Sequence, residues 1–338
     1  MSLRLKRLNQ QVVVLTGATS GHGLAFARMA AKRGATLMLA ARNEDALRTL
    51  SDEINGRGGR AAYRVTDVGE REQVEALASA AVSAFGRIDT WINDAEVSIY
   101  GTLEQVPVED HRRLFETNYW GVVYGSLAAV RHLRQGGGAL INMGSILSDR
   151  AVPLQGPYAA SKHAVRAFTD ALRIELEHDR APVSVTLVKP AGVDTPLIWH
   201  ARNYMRGKPN VPPPPYSSHV VGRALVHACE HPVRQIAPGG AGPLQIAAAN
   251  LFPGLSDRVM SRTMWRLEQS FSPRPPHGPD NLYGPGEDLA EASGVKRLVL
   301  PVAPLTEGRM HPALALGVLS AVGWAAVAVS RGARQRSR

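Results

Sequence analysis

The stretch SILSDRAVPLQGPYAASK, residues 145–162, decides how this chain is read. It carries Ser145, then Tyr158, then Lys162. Tyr and Lys at positions i and i+4 of a helix lie on one face, side by side. A free phenol has a pKa of about 10, so at neutral pH it is a poor proton donor and a rare base. An ammonium beside it favours the phenolate and brings that pKa toward the working range. Gly156 and Pro157 predict a helix start just before the tyrosine, and Ser145 closes an apolar run, ALINMGS, that reads as a buried strand. A YxxxK spacing also arises by chance, so support for the chemistry has to come from the rest of the chain.

Toward the N-terminus, the β-rich run Gln11–Thr16 leads into Gly17-Ala-Thr19-Ser20-Gly21-His22-Gly23 and then into the helical pattern LAFARMAAKRG. Small residues between a strand and a helix let the backbone approach a pyrophosphate, whose charge the helix N-terminus stabilises. The spacing is GxxxGxG, a near miss to the GxGxxG dinucleotide fingerprint. A second strand, Ala35–Ala41, ends at Arg42, where an acid would suit the ribose hydroxyls of NAD. A cation there suits the 2′-phosphate of NADP, and His22 is expected to add to that pocket. Asn43 predicts a cap on a helix to about Asn55, and Ala61–Thr66 a third strand ending at Asp67-Val68. Glu70–Phe85 reads as helix and Ile88–Asn93 as a fourth strand. Strands alternating with helices of this length make βαβ units and a parallel sheet.

Asp110–Arg134 is one long helix or two joined near Asn118, and Ala139–Ser145 is the fifth strand. Past the Tyr158 helix, Val183–Lys189 is a sixth strand, and Pro190 to Pro196 leaves it as a turn. Leu197–Tyr216, with Trp199, His200, Tyr204, Met205 and Pro212 to Pro215, reads as a loop insertion. Loops at the carboxyl ends of parallel strands carry substrate contacts. Ser217–His231 is helical and Val233–Ala237 a seventh strand.

The pattern changes after Gly242. Pro243–Asn250 and Leu255–Ser270 read as helices, and Pro273–Gly286 as a Pro/Gly-rich linker. Ala313–Val329 is free of charge and precedes Arg331, Arg334, Arg336 and Arg338. The expected division is a catalytic unit over 1–241, a helical extension over 242–272, a linker over 273–312 and an apolar helix with a basic tail over 313–338. A helix over 313–329 is shorter than the bilayer's hydrocarbon core of about 30 Å. The tail is therefore expected to dock on a membrane surface or a partner rather than to span.

The 338 residues carry a net charge of +10, spread over scattered arginines without a basic stripe interleaved with aromatics, which argues against nucleic acid. The single cysteine, Cys229, rules out an intramolecular disulfide framework and suits a reducing, cytoplasmic setting. The N-terminus has too few apolar residues for a signal peptide.

Taken together, these residues resemble the short-chain dehydrogenase/reductase family over roughly Asn9–Ala237. Thr16-Gly17 through Gly23 matches its TGxxxGxG cofactor loop, and Asp67, beside Val68, its aspartate near the adenine ring. Asn118, Ser145, Tyr158 and Lys162 match its catalytic tetrad in order. Thr195, after Pro190, matches a residue at the nicotinamide carboxamide. The resemblance implies an α/β fold, a Rossmann-like, doubly wound parallel sheet of seven strands, here with a C-terminal helical extension. It implies an NAD(P)-dependent exchange of carbonyl and alcohol, with NADP preferred on the reading of Arg42, with no metal, on a small-molecule substrate, in a homo-oligomer. Tyr158 would be the acid/base, Ser145 would stabilise the oxygen, Lys162 would tune Tyr158 and hold the nicotinamide ribose, and Asn118 would order a water leading to Lys162.

Two departures stand out. The family has Asn-Asn-Ala-Gly after the fourth strand, whereas this chain reads Asn93-Asp94-Ala95-Glu96. Glu96 would crowd the cofactor or turn to solvent, and a non-glycine residue there would be strained if φ were positive. Pro190-Ala191 replaces Pro-Gly, a milder change. Two rivals stay open: an NADP-binding sensor or scaffold with little turnover, and a membrane-tethered enzyme acting on lipid-like carbonyls.

Overall fold

The computed structural model describes residues 3–240, 246, 248–249, 251–273 and 279–312. The expected helix Pro243–Asn250 falls largely, and the tail 313–338 entirely, outside these residues.

Seven parallel strands form the main sheet: β1 Val12–Thr16, β2 Thr36–Ala41, β3 Arg60–Val65, β4 Thr90–Asn93, β5 Gly138–Met143, β6 Val183–Val188 and β7 Gln235–Ile236. Their order across the sheet is β7-β6-β5-β4-β1-β2-β3. Strand order reverses between β1 and β4, which opens a crevice at their carboxyl ends. The seventh strand is two residues long where Val233–Ala237 was expected, because only Gln235 and Ile236 pair with β6 at the sheet edge.

Helices cover both faces. They are α1 Gly21–Lys32, α2 Glu44–Gly56, α3 Arg71–Phe85, α4 Val108–Phe115, α5 Gly121–Gly136, α6 Gly156–His178, α7 Ser218–Glu230 and, beyond the sheet, α8 Pro253–Leu267. Successive strand side chains alternate between faces. Val13 and Leu15 pack with Leu24 and Phe26 of α1, Leu47 of α2 and Leu225 of α7. Val14 and Trp91 pack on the other side with Leu77 of α3, Leu133 of α5 and Leu172 of α6. Asn43 caps α2 as predicted, its side chain accepting from the Ala46 N–H.

The stretch read as one long helix or two joined near Asn118 is broken there. Glu116–Trp120 is a π-helical turn between α4 and α5. Such a turn inserts an extra residue and re-aims the side chains around it.

Candidate active site

The glycine loop sits where β1 turns into α1. Gly17 has φ +69, and a Cβ there would stand 2.8 Å from the Ala95 nitrogen. A Cβ on Gly23 would stand 2.1 Å from the Gly17 carbonyl oxygen. Neither position admits a side chain, so α1 begins hard against the loop with its N-terminus toward the crevice. Thr16 ties the loop to β4: its hydroxyl accepts from the N–H groups of Asp94 at 3.1 Å and Ala95 at 3.2 Å.

Thr19, Ser20, Gly21, Arg42, Val68 and Ala95 all line the resulting groove. Arg42 is half-buried, and its Nη2 donates to the Asn281 carbonyl, while Nη1 is buried with no hydrogen-bond partner among the described residues. Burial holds its pKa below the ordinary value, against the pull of Asp67. Asp67 forms a 2.6 Å ion pair with Arg113. The Asn93 side chain turns away from the groove: it accepts from Trp91 Nε1 at 2.7 Å and donates to Asn142 at 2.8 Å. Only its backbone remains at the strand end.

At the inner end of the groove, Tyr158 and Lys162 project from the first turns of α6. They are 6% and 1% exposed. Ser145 caps the turn after β5, its hydroxyl accepting from the Leu147 N–H, and lines the same cavity as Tyr158. Asn118 clamps Val97 from both sides. Its Oδ1 accepts from the Val97 N–H and its Nδ2 donates to the Val97 carbonyl, each at 2.9 Å, with Ser161 Oγ a further acceptor at 3.2 Å. Thr195 and Pro190 border this end.

Glu96, the residue in the glycine's place, points inward. Its Oε2 lies 2.7 Å from Lys162 Nζ and accepts from the Tyr158 hydroxyl at 3.0 Å. Lys162 also donates to the Met143 carbonyl at 3.0 Å. Among the described residues the positive-φ non-glycine positions are Leu154, Arg180 and Leu289, so Glu96 carries no left-handed strain. Burial opposes its charge, but Lys162, then His22, hold its pKa below the ordinary carboxylate value. The expectation that Lys162 brings the Tyr158 pKa down is reversed. Burial pushes the phenol well above its ordinary value and Glu96 adds to the rise, while a hydrogen bond with Ser145 works the other way. The ammonium that would stabilise a phenolate is already paired.

His22 lines the same groove as Arg42, with Nδ1 3.5 Å from Asp94 Oδ1. Burial disfavours its charge, and Asp94 and Glu96 outweigh that, leaving the imidazole pKa raised. Acids and bases thus alternate in a line that reaches Tyr158 through Glu96: Asp94, His22, Glu96, Lys162.

The stretch expected as a linker forms the outer wall of the groove. From residue 279 onward the chain crosses from the β2 end to the start of α1. Leu282 is fully buried beside Val97, Leu114 and Tyr158. Its carbonyl accepts from Arg113 at 3.0 Å, and Tyr283 donates to Asp110 at 2.7 Å. Asp288 accepts from the Thr19 hydroxyl at 2.9 Å, the Leu289 N–H donates to the Thr19 carbonyl at 2.8 Å, and the Ala290 carbonyl accepts from the Gly21 N–H at 2.9 Å. Glu291 closes the strap with 2.8 Å contacts to Arg28 and His219.

Beyond Ser145 and Tyr158 opens a mostly apolar cavity of about 490 Å³, walled by Tyr100, Leu147, Val152, Ile198, Pro213 and Met264. Part of the expected loop insertion therefore reaches it. Trp199 and Tyr204 serve the scaffold, donating to the Ser293 carbonyl and to Asp110. Glu268 also borders the cavity. It is 2% exposed, accepts from Gln155 Nε2 at 2.6 Å, and burial pushes its pKa up to about 8 from 4.5. A carboxyl raised on folding leaves stability intact below its unfolded value and erodes it as pH rises through the folded one. Wild-type stability should therefore fall between about pH 4.5 and 8, by on the order of a few kcal/mol. Thermal unfolding across that range checks this: Glu268→Gln should flatten the fall, and an unchanged slope would contradict the assignment.

The doubly wound sheet, the glycine loop and the Ser-Tyr-Lys cluster at the strand ends define a nicotinamide-dependent oxidoreductase. The chain belongs to the short-chain dehydrogenase family, whose model matches residues 11–205, and it acts on CH–OH/C=O groups. The uncharacterised oxidoreductase YxnA of Bacillus subtilis (strain 168) is 41% identical over 328 residues, 96% of this chain and 92% of that protein. A putative ketoacyl reductase of Streptomyces coelicolor is 35% identical over 199 residues, 58% of this chain and 76% of its own. Among solved structures, an alcohol dehydrogenase from the archaeon Thermococcus sibiricus, complexed with 5-hydroxy-NADP, superposes with a TM-score of 0.60 at 26% identity, over 67% of this chain and 95% of that one.

Proposed function

We propose that the protein interconverts a carbonyl and an alcohol with NADP as its preferred cofactor, using Tyr158 as the acid/base. The observation that carries this reading is the meeting of Ser145, Tyr158 and Lys162 beside the apolar cavity, which shares His22, Glu96 and Thr195 with the groove that holds the unpartnered Arg42 Nη1. That orphan N–H suits a 2′-phosphate, and the absence of side chains at Gly17 and Gly23 suits a pyrophosphate at the start of α1, where the Gly21 N–H is held by the strap's Ala290 carbonyl. Thr19, Ser20, Gly21, Arg42 and Asp67 would hold the cofactor, with Val68 and Ala95 as apolar walls. A nicotinamide cofactor, when bound, supplies or accepts the hydride.

In reduction, Tyr158 gives its hydroxyl proton to the substrate oxygen. Ser145 donates to the same oxygen and stabilises its developing charge. Asn118 fixes the backbone of Val97 and so aims the adjoining Glu96 at Tyr158. The apolar cavity selects a substrate with a hydrocarbon body. A screen of aldehydes, ketones and alcohols that follows nicotinamide absorbance tests the reading, and no turnover across such a panel would overturn it.

The sequence of 313–338 supports a tail that docks on an anionic membrane surface, with its arginines at the headgroups. Met310 belongs to the core, packed with α1 and α7 residues, so the informative truncation falls after Pro312 rather than earlier. The truncated chain should stay folded and active and lose sedimentation with anionic vesicles. Equal sedimentation of both chains would exclude the docking.

A further inference from the structure

Glu96 is a second carboxyl-bearing departure in a motif that otherwise carries amides and small residues, and it lies against the proton-transfer group. One oxygen, Oε2, meets both the Tyr158 hydroxyl at 3.0 Å and the Lys162 ammonium at 2.7 Å. A carboxylate is acceptor-only, so the shared hydrogen of the Tyr158 contact stays on the phenol. The contact with Lys162 neutralises the charge that would otherwise favour phenolate. Around Tyr158 stand Glu96, Lys162, Tyr100 and the Ser145 hydroxyl, and around Glu96 stand Lys162, His22 and Asp94. Among these, Glu96 is the anion in direct contact with the phenol.

We propose that Glu96 is a positioning residue that keeps Tyr158 protonated and takes up the Lys162 ammonium, setting the site to give a proton to a carbonyl rather than to take one from an alcohol at neutral pH. The inference rests on the carbonyl/alcohol reading above. The overall equilibrium of the reaction is untouched. What Glu96 sets is the pH at which each direction runs, since oxidation needs the phenolate and reduction the phenol.

The test reads Tyr158 directly, by the ultraviolet absorbance of its phenolate in the full chain. Wild type, Glu96→Gln and Glu96→Gly are each titrated, and each is corrected with the same chain carrying Tyr158→Phe. Glutamine keeps the shape and removes the charge, which separates electrostatics from packing. Tyr158 should ionise lower in both variants by about one pH unit or more, a tenfold rise in phenolate at a fixed pH below the transition. The alkaline-rising limb of alcohol oxidation should move down with it. A Tyr158 transition at the same pH or higher in both variants would overturn the proposal. The absorbance needs no substrate, so failure of the carbonyl/alcohol reading shows separately, as turnover surviving Tyr158→Phe.

Discussion

Replacing Tyr158 by Phe is expected to lower turnover by about 10² or more while cofactor affinity holds. The ring of Tyr158 packs with Leu282, Val97 and Leu114, and Phe keeps that packing. What it removes is the hydroxyl that donates to Glu96 and would donate to the substrate oxygen. Steady-state rates beside a cofactor titration by fluorescence separate the two effects. Near-normal turnover with cofactor bound would mean that Tyr158 is not the acid/base.

The second large effect concerns Arg42. NADPH should bind more tightly than NADH, and Arg42→Ala should erase most of the difference. A charge-assisted contact to phosphate contributes about 1.5 to 3 kcal/mol, or roughly tenfold to a hundredfold. Arg42 also donates to the Asn281 carbonyl, so the substitution loosens the strap for both cofactors alike. The informative quantity is therefore the ratio of the two dissociation constants. Equal affinities for NADPH and NADH in the wild type would remove the idea at its root.

The sheet was legible because its strands alternate side chains between two apolar faces: Val13 and Val14 go to opposite cores, and the helices supply matching stripes. The break at Asn118 was legible only as an alternative, since the burial of its amide, set by Val97 and Ser161, does not show in the sequence. Glu96 was visible as a departure, but its direction was not. Whether its carboxylate turns inward depends on Lys162, a residue brought to it only by α6 crossing the end of β5. Asn93 was expected among the cofactor contacts because it keeps the first position of the family's Asn-Asn-Ala-Gly run. Its amide instead joins Trp91 and Asn142 inside the sheet, a choice set by the neighbouring strand and the helix above.

The strap was the least legible part, for a chemical reason. Much of its hold on the groove comes from main-chain groups: the carbonyls of Asn281, Leu282, Gly286 and Ala290 and the N–H of Leu289. Any residue except proline offers both groups, so a Pro/Gly-rich stretch can make these contacts while its side-chain pattern reads as linker. Leu282 and Leu289, in a run rich in Pro, Gly and acidic residues, were apolar signals of burial there.

That strap gives the nucleotide groove a chronology. Thr19 and Asp288, which meet across it, are 269 positions apart in the chain. A ribosome adds about 5–20 residues per second, so one wall exists for roughly ten seconds or more before the other emerges. During that interval the sheet can assemble around its early strands, but the nucleotide finds an open shelf instead of an enclosed slot. Enclosure of the groove is thus tied to completion of the strap, and a nascent chain presents the glycine loop and Arg42 on an open face until residues 279–291 arrive.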